Sequence, residues 1–337
     1  MQANIRPINH LWTHDDMTLR PRKQPPPPSQ MCITLGQFLE KTLPQSTSLL
    51  GDLILAGSVG MLVAPRGCGK SLLAMTIGYA IAGAKLLEPW GIGSGAEVCL
   101  IDGEMREQGL QTRFRLLNAK NTKPNSVMRA GQNFHIISRD AAGDPIGSID
   151  TLEGQEAFDE IIPYSAKLII IDNLSALTTS GREDAASFAL IKQWIIRKRL
   201  SGVAVLLVHH TGKSGAQRGT SVHEDLLDYS IQLSPREEPG KTAFTLRHTK
   251  LRDHLPELKG DFDGAFWTAD DMLHFRIEAA EKSVRPEDEK ILALRQQGLT
   301  QQKIADAVGL SKSMVQRRLK DITAMPRPDQ DGAETED

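Results

Sequence analysis

Eight residues, Ala64 to Ser71, read A-P-R-G-C-G-K-S and concentrate more usable chemistry than any other stretch of the chain. Two glycines lead into an ammonium and a hydroxyl at adjacent positions. Gly67 and Gly69 permit backbone N–H groups to converge on one point and allow an anion close to the main chain. A helix opening at this place would add the positive end of its dipole. Triphosphate suits such a cradle. Lys70 would reach the β- and γ-phosphates, and the Ser71 hydroxyl would hold Mg²⁺. The contact set for ATP is then Ala64, Pro65, Arg66, Gly67, Cys68, Gly69, Lys70, Ser71 and Leu72. Ala64 stands where this pattern usually has its first glycine, and it keeps the small size needed there.

Three further positions bring polar groups to the end of an apolar run. Val98–Ile101 is followed by Asp102, Gly103 and Glu104. An acid there can polarise a water that attacks the γ-phosphate, a role that falls to Glu104, with Asp102 nearer the Mg²⁺ shell. Acids at a strand end also cap the helix that follows, and that reading of Asp102 stays open. Leu168–Ile171 is followed by Asp172 and Asn173, which makes Asp172 a Mg²⁺ carboxylate. Val203–Val208 is followed by His209, His210, Thr211, Gly212 and Lys213. His210, and after it His209, is placed to feel the γ-phosphate; two histidines satisfied at a strand end are the plainer reading.

These groups meet only if a particular scaffold delivers them. The apolar runs Gly60–Val63, Val98–Ile101, Phe134–Ile137, Leu168–Ile171, Val203–Val208 and Ile231–Leu233 are short, continuous and separated by segments of helical spacing. That pattern predicts a mostly parallel sheet covered by helices on both faces. Its carboxyl edge is where ligands bind in open α/β sheets. A helix from Leu72 to Ala82 follows the glycine loop.

Composition divides the remainder. The 337 residues suit about two domains. Residues 1–30 end in Pro25–Pro28 and read as a flexible tail or spacer. Residues 31–280 hold the α/β pattern, 284–322 are helical, and 323–337 are acidic and read as disordered. The formal net charge of −2 at pH 7 excludes a globally basic nucleic-acid binder, so any such surface must be local. Cys32, Cys68 and Cys99 have neither disulfide nor metal spacing, as expected of a reducing cytoplasm. No apolar run approaches the roughly 18 residues of a membrane span, and no secretory signal is visible.

In order, A-P-R-G-C-G-K-S, L-I-D-G-E, L-I-I-I-D-N and L-L-V-H-H-T-G-K resemble the motifs of the RecA-like ATPases, particularly the RepA-like hexameric helicases of plasmids and mobile elements. The resemblance covers residues 31–280. It implies ATP and Mg²⁺ between neighbouring subunits of a homo-oligomeric ring, with single-stranded DNA in the central channel. Asn173 follows the Mg²⁺-binding aspartate where some ATPases have their second acid, which supports Glu104 in that role. By position, the channel loops are Thr178–Ala185 and Thr211–Thr220, with Lys213 and Arg218 as phosphate contacts or as ordinary solvated charges. A charge from the adjacent subunit completes such sites. The stretch Phe244–Arg252 looks like the family's late basic strand, so Lys250 and Arg252 are finger candidates, with Arg218 in reserve and a solvated strand face as the other reading.

The C-terminal segment reads as a helix-turn-helix. Pro286–Gln297 is ended by Gly298, Thr300 caps Gln301–Val308, Gly309 turns, and Ser311 caps Lys312–Asp321 with Met314, Val315 and Leu319 inward. Lys282 to Arg327 holds ten Lys or Arg against five Asp or Glu, a local charge suited to a duplex backbone. Lys312, Ser313, Gln316 and Arg317 face outward as DNA contacts. A three-helix protein-contact module would share this pattern. Two functions therefore stand: an ATP-driven DNA helicase, or a non-translocating ATP-dependent regulator or loader.

Overall fold

The computed structural model describes residues 32–119, 123–142, 147–179, 185–210, 225–253, 255–280 and 286–323. Residues 1–46 and 47–337 separate as two compact units. In the first, helix α1 (Leu35–Leu39) begins at a reciprocal capping box. Thr34 Oγ1 accepts from the Gln37 N–H at 3.2 Å and Gln37 Oε1 accepts from the Thr34 N–H at 2.9 Å.

The second unit is built on β3 (Val59–Ala64), which runs into the glycine loop and α2 (Lys70–Ala82). Two small hairpins flank them, β1 (Ser48–Leu50) with β2 (Ile54–Leu55) and β4 (Leu86–Leu87) with β5 (Gly91–Ile92). Next come β6 (Val98–Asp102), α3 (Glu107–Ala119), α4 (Pro124–Asn133), β7 (Phe134–Ser138), α5 (Arg139–Ala142), α6 (Leu152–Ile161) and β8 (Leu168–Asp172). The chain continues through α7 (Ala185–Leu200), β9 (Ala204–His210), β10 (Tyr229–Arg236), β11 (Thr242–Leu251), β12 (Asp261–Ala269) and β13 (Met272–Ala279).

Nine of these strands form one sheet in the order β13-β12-β11-β10-β3-β9-β8-β6-β7. From β10 to β7 every neighbouring pair is parallel. β8 shows why its sequence is apolar without alternation. Leu168 and Ile170 enter the core under α2, whereas Ile169 and Ile171 enter the core under α7 with Phe188, Ile191, Trp194 and Ile195. Full burial of each such side chain stabilises the fold by about 1.5–3 kcal/mol. Helix α2 lies against this sheet with all but Ser71 and Leu72 buried, which explains its uniformly apolar sequence.

The expected coverage by helices on both faces holds for the parallel strands and fails beyond β10. There β11, β12 and β13 pair antiparallel. Phe244, Leu246, Phe262, Phe266, Leu273 and Ile277 line their inner face. The other face is polar and carries Arg236–Asp263 and Arg247–Asp261 ion pairs, both at 2.6 Å. One covered and one wet face is the ordinary state of an antiparallel sheet.

Three C-terminal helices, α8 (Pro286–Gln296), α9 (Gln301–Val308) and α10 (Lys312–Thr323), enclose a small core of Ile291, Ile304, Ala305, Val315 and Leu319. Gly298 and Gly309 adopt φ of +79° and +70° at the two turns. Thr300 and Ser311 accept from the N–H groups of Lys303 and Met314. Met314, expected inward, is 36% exposed, because the neighbouring Val315 takes the core position.

Candidate functional site

The glycine loop takes the shape a phosphate chain needs. Gly67 and Gly69 have φ of +76° and +85°, a region open to glycine at little cost. Gly69 is the N-cap of α2, so the free N–H groups of that 13-residue helix point to the loop. A Cβ on Gly69 would come within 3.3 Å of Phe266 and Thr242, so β11 and β12 buttress the loop from behind. Lys70 is 5% exposed. Its Nζ donates to the carbonyls of Ala64 at 3.0 Å and Pro65 at 2.8 Å, which holds the ammonium at the mouth of the loop.

Parallel register brings the other groups to the same edge. Ala64 is level with His210, and Asp102 is level with Asp172. The Ser71 hydroxyl hydrogen-bonds to the Asp172 carboxylate, which unites the two expected Mg²⁺ groups. Burial pushes Asp172 up to about 6, and Asp102 and Glu104 add to the effect against the Ser71 hydrogen bond and Lys70. The site is thus short of positive charge where Asp172 sits. One carboxylate beside one hydroxyl fits Mg²⁺, which takes one or two protein groups and completes its shell with phosphate and water. Among the described residues there is no cluster of three or more His, Cys, Asp or Glu side chains arranged to hold a metal without such help.

Asp102 is committed differently. Its Oδ1 accepts from the N–H groups of Glu104 at 3.2 Å and Met105 at 2.7 Å, so it braces the turn that presents Glu104. Burial raises its pKa, opposed by those two N–H groups. Asp102 does not cap the helix that follows, which begins at Glu107, and it stays beside Asp172 at the strand ends.

Glu104 meets two partners. Asn173 Nδ2 donates to Glu104 Oε2 and also lies 2.9 Å from His210 Nε2. His210 Nε2 is 3.5 Å from the same Glu104 oxygen. Burial pushes His210 below the usual histidine range, with Lys70 acting in the same direction and Glu104 opposing, so the ring is neutral at neutral pH. Lys70 lies close enough to feel Asp172 and Glu104; burial lowers its pKa and these two raise it.

Some expected groups lie elsewhere or outside the described residues. Lys213 and Arg218 fall outside them, as does most of Thr178–Ala185. Lys250 is level with Met61, and the Arg252 N–H donates to Asp228, whose own N–H donates to Val59. Arg252 therefore sits at the amino edge of the sheet, opposite the glycine loop, and Lys250 lies midway along the strands. Arg252 pairs with Asp228 at 2.9 Å. Lys312, Ser313, Gln316 and Arg317 are exposed on α10. Two features had escaped the sequence reading: the Asn173 amide at the centre of the site, and the support of Gly69 by Thr242 and Phe266. Asn173 had a signal in its position after Asp172; the support has none, because it joins residues far apart in the chain.

A parallel sheet, a glycine loop capping a buried helix, and Ser71 and Asp172 joined beside it define a RecA-like P-loop nucleotide-binding core. The family model described as "AAA domain" matches residues 25–216, and the chain belongs to that family. No curated protein matches it. Among solved structures it is similar to the flagellar accessory protein FlaH of Methanocaldococcus jannaschii, at 12% identity over 67% of this chain and 91% of that one, TM-score 0.46. A KaiC-like protein of Pyrococcus horikoshii is 13% identical over 69% and 99% of the two chains, TM-score 0.48. The RadB recombinase is 14% identical over 67% and 92%, TM-score 0.43. Among the described residues no helix is long and apolar enough to cross a membrane.

Proposed function

We propose that the chain is an ATP-driven motor on DNA: a ring-forming, cytoplasmic helicase, hexameric by the resemblance above, that serves replication of a plasmid, phage or integrated mobile element. The observation that carries this reading is the convergence of Lys70, Ser71, Asp172, Glu104 and His210 on one sheet edge, in the order the resemblance implies. Bound ATP with Mg²⁺ supplies a γ-phosphoryl group for transfer to water. Lys70 and the N–H groups of the loop grip its negative tail, while Ser71 and Asp172 hold the cation. Glu104 orients and deprotonates the attacking water. His210 opens the segment carrying Lys213 and Arg218, so its position transmits the state of the site to groups that contact a single strand. Lys250 or Arg252 of a neighbouring copy supplies the positive charge.

The exposed row Lys312, Ser313, Gln316 and Arg317 favours a second reading. As a helix-turn-helix, α8–α10 would find one duplex sequence while ATP controls assembly, as in a regulator or loader. A fork-shaped duplex separates the two. With ATP and Mg²⁺ the motor releases displaced strand. ATPase without displacement, together with tight binding to one duplex sequence, would establish the switch and refute the motor.

A further inference from the structure

We infer that Asn173 is a positioning residue whose single amide nitrogen holds Glu104 and His210 and fixes the imidazole as its Nδ1–H tautomer. The functional weight of this rests on the reading of Glu104 as base and His210 as sensor; the hydrogen-bond logic does not.

An amide has a donor end and an acceptor end, and here the acceptor end is already committed. Asn173 Oδ1 accepts from the Ser175 hydroxyl at 2.8 Å and from the Ala176 N–H at 2.9 Å. The second bond caps the short 3₁₀ turn Leu174–Leu177. Rotating the amide would set its NH2 against the Ala176 N–H, which can only donate, so Nδ2 must face Glu104 and His210. The side chain is 3% exposed, which leaves it little else to bond.

Two hydrogens on Nδ2 then serve two acceptors. One goes to Glu104 Oε2 and the other to His210 Nε2 at 2.9 Å. A ring nitrogen that receives an N–H presents its lone pair, so the imidazole proton resides on Nδ1, although Nδ1 is buried without a hydrogen-bond partner among the described residues. This also accounts for the 3.5 Å between His210 Nε2 and Glu104 Oε2, which is long for a charge-assisted hydrogen bond. The two are acceptors drawn to one donor. Without the Asn173 amide, Nε2–H would turn to Glu104 Oε2 and bond the two side chains directly to each other. Asn173 thus keeps Glu104 and His210 adjacent but not bonded to each other, and displacement of His210 releases an amide hydrogen beside Glu104. Aspartate in this position would supply no hydrogen to either.

Asn173→Asp tests this, because it keeps the size and the acceptor for Ala176 and removes both donors. The measurement is ¹⁵N NMR of the full chain labelled at histidine, without nucleotide, with the His210 signals assigned by His210→Gln. In the native chain Nε2 should give the unprotonated, acceptor-type signal and Nδ1 the protonated one. In Asn173→Asp, Nε2 should become protonated. ATP binding should change by less than about threefold, and turnover at saturating ATP should fall about tenfold or more. A protonated Nε2 in the native chain overturns the inference without any variant, and so does an Nδ1–H tautomer that persists in Asn173→Asp. Because the tautomer is read without ATP, normal hydrolysis in Glu104→Gln would remove the roles proposed above and leave this hydrogen-bond assignment standing.

Discussion

Asp172→Asn should stabilise the nucleotide-free protein while destroying its use of Mg²⁺. Burial raises the Asp172 pKa from 3.8 to about 6. A carboxyl whose folded pKa exceeds its unfolded one contributes stability that is fully present below the unfolded value and lost as pH rises through the folded value. The shift is about two units, so at pH 7 the ionised carboxylate costs about 3 kcal/mol. At pH 5, between the two values, about half of that cost has been incurred. Asparagine does not ionise, and its oxygen can still accept from Ser71. Chemical unfolding in a chelator, followed through the fluorescence of the buried Trp194, measures the difference. The variant should exceed the native chain by about 3 kcal/mol at pH 7 and by about half of that at pH 5. ATP with Mg²⁺ should then raise the midpoint of the native chain and leave the variant unmoved. A variant no more stable at pH 7, or a difference that does not grow with pH, would refute the account of Asp172 as an uncompensated buried charge.

Lys70→Ala should abolish ATP binding and turnover together, read by nucleotide titration and phosphate release. Glu104→Gln should bind ATP normally and lose hydrolysis by about a hundredfold or more, since a side chain that cannot take a proton remains. Tyr229→Phe should raise the free energy of unfolding by about 1 kcal/mol, because the hydroxyl is buried without a partner among the described residues; a lower value would mean that a bonded water satisfies it.

Much of the phosphate edge was legible because its signal is local. Four apolar residues followed by an acid predict a buried strand that delivers a carboxylate, and β6 and β8 end at Asp102 and Asp172. The division of labour between Asp102 and Glu104 was less legible. Both stand at a strand end, and only the N–H groups of Glu104 and Met105 show that Asp102 braces the turn. Asn173 was read for what it is not, an acid; its bridge joins residues 69 and 37 positions away, and no spacing announces that. The strand β12 was missed for a different reason. Its alternation is interrupted where an inner-face position is Gly264, whose Cβ would lie 2.2 Å from the Phe244 ring. The glycine that weakens the pattern is the one that admits the ring.

The reversal of direction at β11 has a consequence for assembly. β3 carries the chain up to the glycine loop, and β11 carries it down again, so Lys250 lies midway along the strands and Arg252 arrives at the far edge. Val59 to Ala64 spans five residue steps at about 3.3 Å each, a distance no side chain bridges within one chain. From there Arg252 reaches a γ-phosphate only if the amino edge of one copy meets the carboxyl edge of the next. A contact between two different edges is heterologous, and repeated with a closing rotation it makes a ring. To act as the proposed finger Arg252 would first have to leave Asp228, but that carboxylate also pairs with Arg199 at 3.2 Å and accepts from the Val59 N–H at 2.9 Å. It would keep a cation and a donor after Arg252 departs, which lowers the cost of the move well below that of stranding a buried charge.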